Sequence, residues 1–221
     1  METTTNNPIF STAYFPPIAY VAEAMANDTI VMESFETYPK QTYRNRAVIA
    51  TANGVLGLTV PVVKTNGNHT YTKDIEICYT ENWALKHLRA IESAYNSSPY
   101  FLYYKDDVAN ILSKKQRTLL ELNMDILAFV FKKLRVKTNV VLSDDYTDNY
   151  SSDYRNTFSP KTKEELILPS YPQVFEDRFG FLPNLSILDL LFNMGPDSMS
   201  YLKEIVQKDN NKKTEIECSD N

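Results

Sequence analysis

The residues best suited to chemistry lie in one polar segment, residues 38–46, which has almost no aliphatic side chain. It carries three cations, Lys40, Arg44 and Arg46, together with the amide of Asn45. A guanidinium presents a planar fork of donors that matches carboxylate or phosphate, and an amide donates and accepts at once. The segment therefore predicts a loop that binds an anionic ligand.

Two acids just before this loop leave a structural interpretation open. Glu33 and Glu36 are close enough in sequence to pair with the arginines, and the loop would then be a solvated surface segment. Glu36 is also a candidate proton acceptor, and so is His87, whose ordinary pKa lies near neutrality. The helical period over residues 81–95 turns His87 inward beside Trp83, which is more often the position of a core histidine.

The elements that must position these residues form a predicted βαβ unit near the N-terminus. Residues 8–14 favour a short strand, which Pro16 and Pro17 stop. Residues 18–26 favour an alanine-rich helix, and residues 29–32 favour a strand covered on both faces. The second strand should be parallel to the first.

The carboxyl ends of these two strands place the predicted site at residues 14–17 and 33–36, because ligands of open parallel sheets bind there. Tyr14 and Tyr20 are the aromatic candidates for contacting a ligand. Free N–H groups at the start of the first helix should face the same crevice and suit an anion. The sequence has no glycine-rich phosphate loop of either standard spacing, so a dinucleotide-binding fold of the usual kind is not supported.

The rest of the chain predicts a hairpin and a largely helical C-terminal half. The hairpin turns at Asn53 and Gly54. Helices are predicted over residues 81–95, 100–112, 116–134 and 197–207, and a late strand that rejoins the sheet over residues 136–142. A further helix begins at Ser186, with Asp189 completing a capping-box pattern. We expect an α/β fold with a Rossmann-like, mainly parallel sheet and added helices, in a single domain over residues 1–207, followed by a disordered polar tail over residues 208–221.

Residues 144–163 are rich in Asp, Tyr, Ser and Asn and follow the exit of the late strand. They are a candidate lid, and Asp153, Arg155 and Lys161 are its candidate ligand-binding residues. The alternative is a flexible surface loop that these side chains only brace.

Composition and charge exclude several classes of function. The net charge of −5 gives no general attraction to phosphate polymers, so no nucleic-acid partner is expected. Cys78 and Cys218 fit no metal-ligand spacing and the chain has two histidines, so no metal is expected and a reducing compartment is indicated. We see neither a signal peptide nor a membrane-spanning run, which predicts a cytoplasmic protein without membrane insertion. Neither a cofactor nor an oligomeric state is indicated.

Short segments spread over almost the whole chain, up to Leu202, form an ordered set of motifs. They are residues 12–20, 36–46 and 58–62, Trp83 with His87, residues 94–100, residues 153–155 with 159–161, and residues 185–196. Taken together, these motifs resemble the WbqC-like protein family, in the branch carried by gut-type Bacteroidetes.

The resemblance implies a role in the biosynthesis of O-antigen or another surface polysaccharide, with transfer of an aminoacyl (glycyl) group to a sugar as the suggested reaction. One departure concerns the N-terminus. Many members of the family carry His-Gln-Pro before the Tyr-Phe-Pro element, whereas this chain has Phe10, Ser11, Thr12 and Ala13 there. If that histidine is catalytic in other members, this branch has lost it or performs different chemistry.

Three interpretations follow from the residues and the resemblance. In the first, the chain is a transferase that uses a small-molecule, negatively charged activated donor and a sugar acceptor. The cations of the basic loop hold the donor, Asn45 and Tyr14 orient the acceptor, and His87 or Glu36 takes a proton. In the second, the chain is a non-catalytic module that binds a nucleotide-sugar or a partner in polysaccharide assembly. In the third, the tyrosines and arginines only tie loops to the core.

Overall fold

The computed structural model describes residues 7–160 and 168–219. The strands are β1 (Ile9–Ser11), β2 (Thr29–Glu33), β3 (Arg46–Thr51), β4 (Gly54–Thr59), β5 (Val62–Val63), β6 (Glu76–Ile77), β7 (Asn139–Leu142) and β8 (Asp153–Tyr154). The helices are α1 (Ile18–Met25), α2 (Trp83–Tyr95), α3 (Phe101–Ser113), α4 (Leu119–Leu134), α5 (Glu176–Phe179), α6 (Ile187–Met194) and α7 (Ser198–Ser219). Short 3₁₀ turns lie at Gly67–His69, Thr72–Asp74 and Gly195–Asp197.

The strands β1 and β2 and the helix α1 between them form the predicted βαβ unit. The two strands are parallel, with Ile9 beside Val31 and Ser11 beside Glu33. β2 is buried over all but its first residue, as expected for a strand covered on both faces. α1 buries most of its alanine-rich surface, since small side chains allow a helix to pack closely.

A four-stranded sheet grows from this unit in the order β7, β2, β1, β8, and every neighbouring pair is parallel. β7 lies within the late strand predicted over residues 136–142. β8 is a strand of two residues inside the segment predicted to be a loop, residues 144–163. The expected α/β fold with a Rossmann-like parallel sheet is therefore confirmed, and the carboxyl ends of its strands lie at one edge.

The remaining strands pair outside the parallel sheet. β3 and β4 form the antiparallel hairpin predicted around Asn53 and Gly54, with Arg46 opposite Thr59. β5 and β6 form a second antiparallel pair. The basic loop predicted over residues 38–46 therefore connects the parallel sheet to the hairpin.

The longest of the central helices, α4, is buried on most sides. Leu122, Ile126 and Val130 are fully buried, and burial of each such side chain stabilises the fold by ~1.5–3 kcal/mol. The helix begins with a capping box in which Thr118 accepts from the Glu121 N–H and the Glu121 carboxylate accepts from the Thr118 N–H.

The start of α1 corrects one expectation. The Ile18 N–H donates to the Leu185 carbonyl at 3.0 Å, and the Ala19 N–H donates to Asn184 Oδ1 at 3.0 Å. These N–H groups are therefore bonded to the segment that precedes α6. They are not free to hold an anion, which was the role predicted for them.

The start of α6 also differs from its prediction. The Ser186 hydroxyl caps the helix by accepting from the Leu188 N–H. Asp189 does not complete a capping box, because its carboxylate turns into the core and accepts from the hydroxyls of Tyr95 and Tyr171, both at 2.7 Å. Burial raises the pKa of Asp189.

The last helix, α7, is longer than the sequence predicts. Its first turns bury Leu202 and Ile205 and pack against α1. It then continues to Ser219, through residues predicted to be a disordered tail. Across residues 7–160 and 168–219, no helix combines the length and apolarity needed to cross a membrane.

Candidate functional site

A cleft of about 550 Å³ opens at the carboxyl edge of the parallel sheet. Residues 35–37 and Pro39 follow β2, and Arg155 and Asn156 follow β8. The rings of Tyr71 and Tyr146 come from two other loops. Its lining consists of Phe35, Glu36, Thr37, Pro39, Tyr71, Tyr146, Arg155 and Asn156. The cleft therefore lies where the βαβ topology predicts a ligand.

Arg155 joins the loops around this cleft. Its buried guanidinium lies 3.1 Å from Glu33 Oε2, 2.8 Å from Asp148 Oδ1 and 2.6 Å from Asp153 Oδ2. The Arg155 Cζ atom lies 4.6 Å from the ring centroid of Tyr146. Hydrogen bonding between Arg155 and Asp153 raises the pKa of the guanidinium and lowers that of the carboxyl. Arg155 therefore fixes the loop that follows β7 against the ends of β2 and β8.

Glu33, the last residue of β2, is fully buried, and its carboxylate is also held from the other side. Glu33 Oε1 accepts from the Phe35 N–H at 2.7 Å and from the Ser143 hydroxyl at 2.9 Å. Ser143 follows β7, and its Oγ accepts from the Ser34 N–H at 3.0 Å. These bonds lock the ends of β2 and β7 together and make Glu33 an interior support of the cleft.

Glu36 lines the cleft and is held by Arg44. Arg44 Nε and Nη2 donate to the two carboxylate oxygens of Glu36, both at 2.7 Å. Arg44 is itself buried, and Asn123 Nδ2 donates to its carbonyl at 2.7 Å. Burial raises the pKa of Glu36, and this effect is larger than the opposing effect of Arg44. Arg44 therefore pairs with a nearby acid, Glu36, as the structural interpretation of the loop predicts.

The carboxylates in and around the inner end of the cleft outnumber the guanidinium groups there, and of these charged groups Glu36 and Arg155 line the cleft. The guanidinium groups of Arg44 and Arg155 face the carboxylates of Glu33, Glu36, Asp148 and Asp153. A phosphate placed here would be repelled, whereas hydroxyl or amine groups can donate to the carboxylate oxygens. Despite these acids, the described ranges contain no group of three or more His, Cys, Asp or Glu side chains arranged to hold a metal ion. The inner end therefore suits a ligand that donates hydrogen bonds.

A lysine that the sequence does not single out lies at the aromatic wall of the cleft. Lys73 Nζ is 3.6 Å from the ring centroid of Phe35 and 5.9 Å from that of Tyr71. The Lys73 N–H donates to the Ser34 carbonyl at 3.0 Å, which joins this turn to the segment after β2. In sequence, Lys73 is an isolated cation after a polar loop, so only the tertiary contact reveals it.

Tyr146 and Asp148 are also missing from the candidates that the sequence provides. Both lie in the segment over residues 144–163, whose Asp-rich and Tyr-rich composition is the only available signal. Their partner is Arg155, and that contact depends on how the loop folds back.

Tyr14 and His87 form a second polar pair outside the lining of the cleft. Tyr14 Oη lies 2.9 Å from His87 Nδ1, and both side chains are buried. The Trp83 ring packs edge-on against the imidazole, with centroids 5.2 Å apart. Burial lowers the pKa of His87 to about 4, so the ring is neutral at pH 7. Glu36, the other candidate proton acceptor, lines the cleft, and His87 does not.

Tyr20 and Asn45 make contacts to the backbone. The Tyr20 hydroxyl donates to the Ser11 carbonyl at 2.8 Å, at the end of β1. Asn45 Nδ2 donates to the Val60 carbonyl at 2.9 Å. The first bond joins α1 to the end of β1, and the second joins the two ends of the β3–β4 hairpin. Neither side chain lines the cleft.

The remaining cations of the predicted site lie apart from Arg44. Arg46 is exposed on β3, and its guanidinium covers Gly57 so closely that a Cβ there would lie 2.5 Å from Nη2. Lys40 is exposed and follows Pro39 of the cleft wall. Lys161 lies outside the described residues. The basic loop therefore does not gather its three cations around one anion.

Comparisons with known proteins found a family profile and a relative that match this chain. The sequence profile of the WbqC-like protein family matches residues 12–167 and 162–201. The uncharacterized protein Rv1507c of Mycobacterium tuberculosis (strain ATCC 25618 / H37Rv) is 29% identical over 218 residues, which covers 86% of this chain and 91% of that protein. No solved structure matches. The matched residues include the cleft and the buried pairs beside it, and this chain belongs to the WbqC-like protein family.

Proposed function

We propose that this chain is a transferase of surface-polysaccharide biosynthesis, which adds an aminoacyl (glycyl) group to a sugar bound in the cleft at the carboxyl edge of the sheet. The observation that carries the proposal is the joint presence of aromatic rings and the Glu36 carboxylate in one open cleft. Membership of the WbqC-like family supports the pathway. In this proposal the reaction takes place in the cytoplasm.

The acceptor site is formed by rings and hydrogen-bonding groups. Tyr71 and Tyr146 are 45% and 50% exposed, and each offers an apolar face against which a sugar ring can pack. Glu36 and Asn156 lie beside them and can bond hydroxyl groups. The negative balance of charge at the inner end supports a neutral or amine-bearing sugar over a phosphate.

The chemistry requires a base and an acyl donor. Glu36 accepts the proton of the attacking sugar hydroxyl, and its raised pKa makes it a stronger base than an exposed glutamate. The hydroxyl oxygen bonds to the acyl carbon, and the donor's leaving group departs with the electron pair of the broken bond. Arg44 is a positioning residue, because it orients the Glu36 carboxylate. In this proposal Lys73, which lies against the Phe35 ring of the cleft wall, meets negative charge on the donor, because Arg44 is paired with Glu36.

The test combines the purified chain with a glycyl thioester and a panel of neutral and amino hexoses, and detects glycylated sugar by mass spectrometry. Glu36→Gln should lower kcat by roughly 100-fold or more, the usual contribution of a general base. Glu204→Gln is the matched control, since Glu204 is half-exposed on α7 and pairs only with Lys208 among the described residues. Turnover that survives Glu36→Gln in a folded protein contradicts the assigned base.

A second candidate function is a non-catalytic module that binds a sugar or nucleotide-sugar. It is favoured by the two hydrogen bonds that engage both Glu36 oxygens and by the position of His87 outside the cleft. Tyr146→Ala separates the two functions. A transferase should show a raised KM with little change in kcat, whereas a binding module should lose affinity in calorimetry and show no turnover with any donor.

A further inference from the structure

The groove between α2 and α3 is apolar and open. Two cavities, of about 330 Å³ and about 250 Å³, lie along it and share Leu85 and Leu88. Ile91 and Val108 line the first cavity and Leu112 lines the second, so the groove runs along most of both helices. None of these residues lines the cleft at the sheet edge.

Two large side chains of α3 are exposed, and one of them, Leu102, lies one helical turn from the groove residues Lys105 and Asp106. α3 buries Phe101, Tyr104 and Val108 toward the core, as an amphipathic helix does. Leu102 and Tyr103 are nevertheless 67% and 74% exposed. α3 therefore has a second apolar surface that no described part of the chain covers, and such patches mark interaction sites.

Charged side chains of both signs also line the groove. Arg89 and Glu92 on α2, and Lys105 and Asp106 on α3, line the first cavity. None of the four forms an ion pair with a described residue, whereas Lys86 on the same helix pairs with Glu81 at 2.6 Å. Because the cavity carries two positive and two negative side chains, its charges can all be paired by a partner surface that also carries two of each sign. A purely acidic or purely basic partner would leave half of them opposed by like charge.

We propose that this groove is the interface of a two-fold symmetric dimer of this chain. In such an interface each residue pair occurs twice with the roles exchanged. Arg89 and Lys105 of one protomer then face the carboxylates of Glu92 and Asp106 on the other copy, and the reverse contacts form in the same dimer. Leu102 enters the other copy's apolar groove, which removes the exposed surface of both protomers from water. The inference does not depend on the chemistry proposed for the cleft.

Sedimentation velocity of the full-length chain measures the proposal directly. The wild-type protein should sediment as a dimer and dissociate on dilution. Leu102→Glu should raise the dimer dissociation constant at least ~10-fold, because it buries a charge at the centre of the interface. Val55→Glu is the control, since Val55 is 58% exposed on the β3–β4 hairpin and lines neither cavity of the groove. A monomer at every concentration, or equal effects of the two substitutions, overturns the proposal.

A pair of charge-reversed proteins tests the charge pattern without altering the apolar surface. One carries Arg89→Glu with Lys105→Glu, and the other carries Glu92→Lys with Asp106→Lys. Each should be monomeric alone, because like charges then face each other across the two-fold axis. An equimolar mixture should form a mixed dimer. If both proteins are folded by circular dichroism and the mixture stays monomeric, the groove is not the proposed interface.

Discussion

Arg155 illustrates the energetics of the site at the scale of a residue. Its side chain is 3% exposed and Glu33 is fully buried, so both charges have lost most of their hydration. Burial of an ion pair costs several kcal/mol per ion, and only complete pairing offsets that cost. Asp148, Asp153 and the face of Tyr146 supply the additional contacts. Removal of the guanidinium would leave the Glu33 carboxylate buried without a cation.

Arg155→Met should therefore lower the free energy of unfolding by ~3–5 kcal/mol, the usual effect of breaking a buried ion pair. Arg117→Met is the matched control, because the Arg117 side chain is 80% exposed and pairs with Glu76 on the surface. That substitution should change stability by less than ~1 kcal/mol. Urea denaturation of both variants measures the difference. Equal losses would show that the cluster around Arg155 is no more than a surface ion pair.

At the scale of elements, the start of α6 holds together three parts of the fold. The Ser186 hydroxyl donates to the Phe15 carbonyl at 2.9 Å, and the Ser186 N–H donates to the Val48 carbonyl of β3 at 2.8 Å. The Ile187 N–H donates to the Pro16 carbonyl at 2.8 Å. Phe15 has a φ of 38°, a left-handed conformation that a bulky side chain adopts only when its surroundings enforce it. The turn between β1 and α1 thus depends on a helix far along the chain.

Ser186→Ala should lower the free energy of unfolding by ~1–2 kcal/mol, because it removes the cap of α6 and leaves the buried Phe15 carbonyl without its donor. In the comparison variant, Ser113→Ala, the lost hydroxyl lies at an exposed helix end, where it donates to the Asn110 carbonyl. That change should stay within ~0.5 kcal/mol. Chemical denaturation of the two alanine variants provides the measurement. A loss no larger for Ser186 than for Ser113 would refute the proposed role of this contact.

At the scale of the whole molecule, ionisable groups whose pKa values change on folding make opposing contributions to stability as the pH changes. His87 and Asp153 have pKa values that folding lowers, so between their folded and unfolded pKa values the unfolded chain binds more protons. Their contribution to stability is lost as the pH falls. Glu36 and Asp189 have pKa values that folding raises, so their contribution is lost as the pH rises. The net pH dependence is a sum of these terms, and a single substitution is needed to isolate one of them.

His87→Gln isolates the histidine term. Burial lowers the pKa of His87 from its ordinary 6.5 to about 4, so protonation opposes folding within that window. As the pH falls from 6.5 toward 4, the wild type should lose up to ~3 kcal/mol of stability relative to the variant. Above pH 7 the difference between the two proteins should be constant. Denaturant titrations of both proteins at several pH values measure it, and parallel stability curves below pH 6.5 would contradict the burial of a neutral imidazole.

Several elements could be predicted from the sequence because their signals are local. Proline pairs, alanine-rich and β-branched runs predicted the βαβ unit, the Asn53–Gly54 turn predicted the hairpin, and apolar periodicity predicted the buried helix α4. Strand polarity follows from the βαβ rule, so the edge of the sheet at which the cleft opens was predictable as well. Backbone sterics and hydrophobic periodicity act over a few residues, so these elements can be predicted from a single sequence.

Which side chains meet at that edge depends on tertiary contacts and could not be predicted. Arg44 turns inward to Glu36 while Arg46, two positions later, lies on the outside of the hairpin. Arg155 bonds to Glu33, which is 122 positions away in the sequence. Lys73 lies against the ring of Phe35 in the cleft wall. Such pairings depend on how loops close on a finished sheet. Their energies come from burial and charge in three dimensions, and these leave no periodic pattern in the sequence.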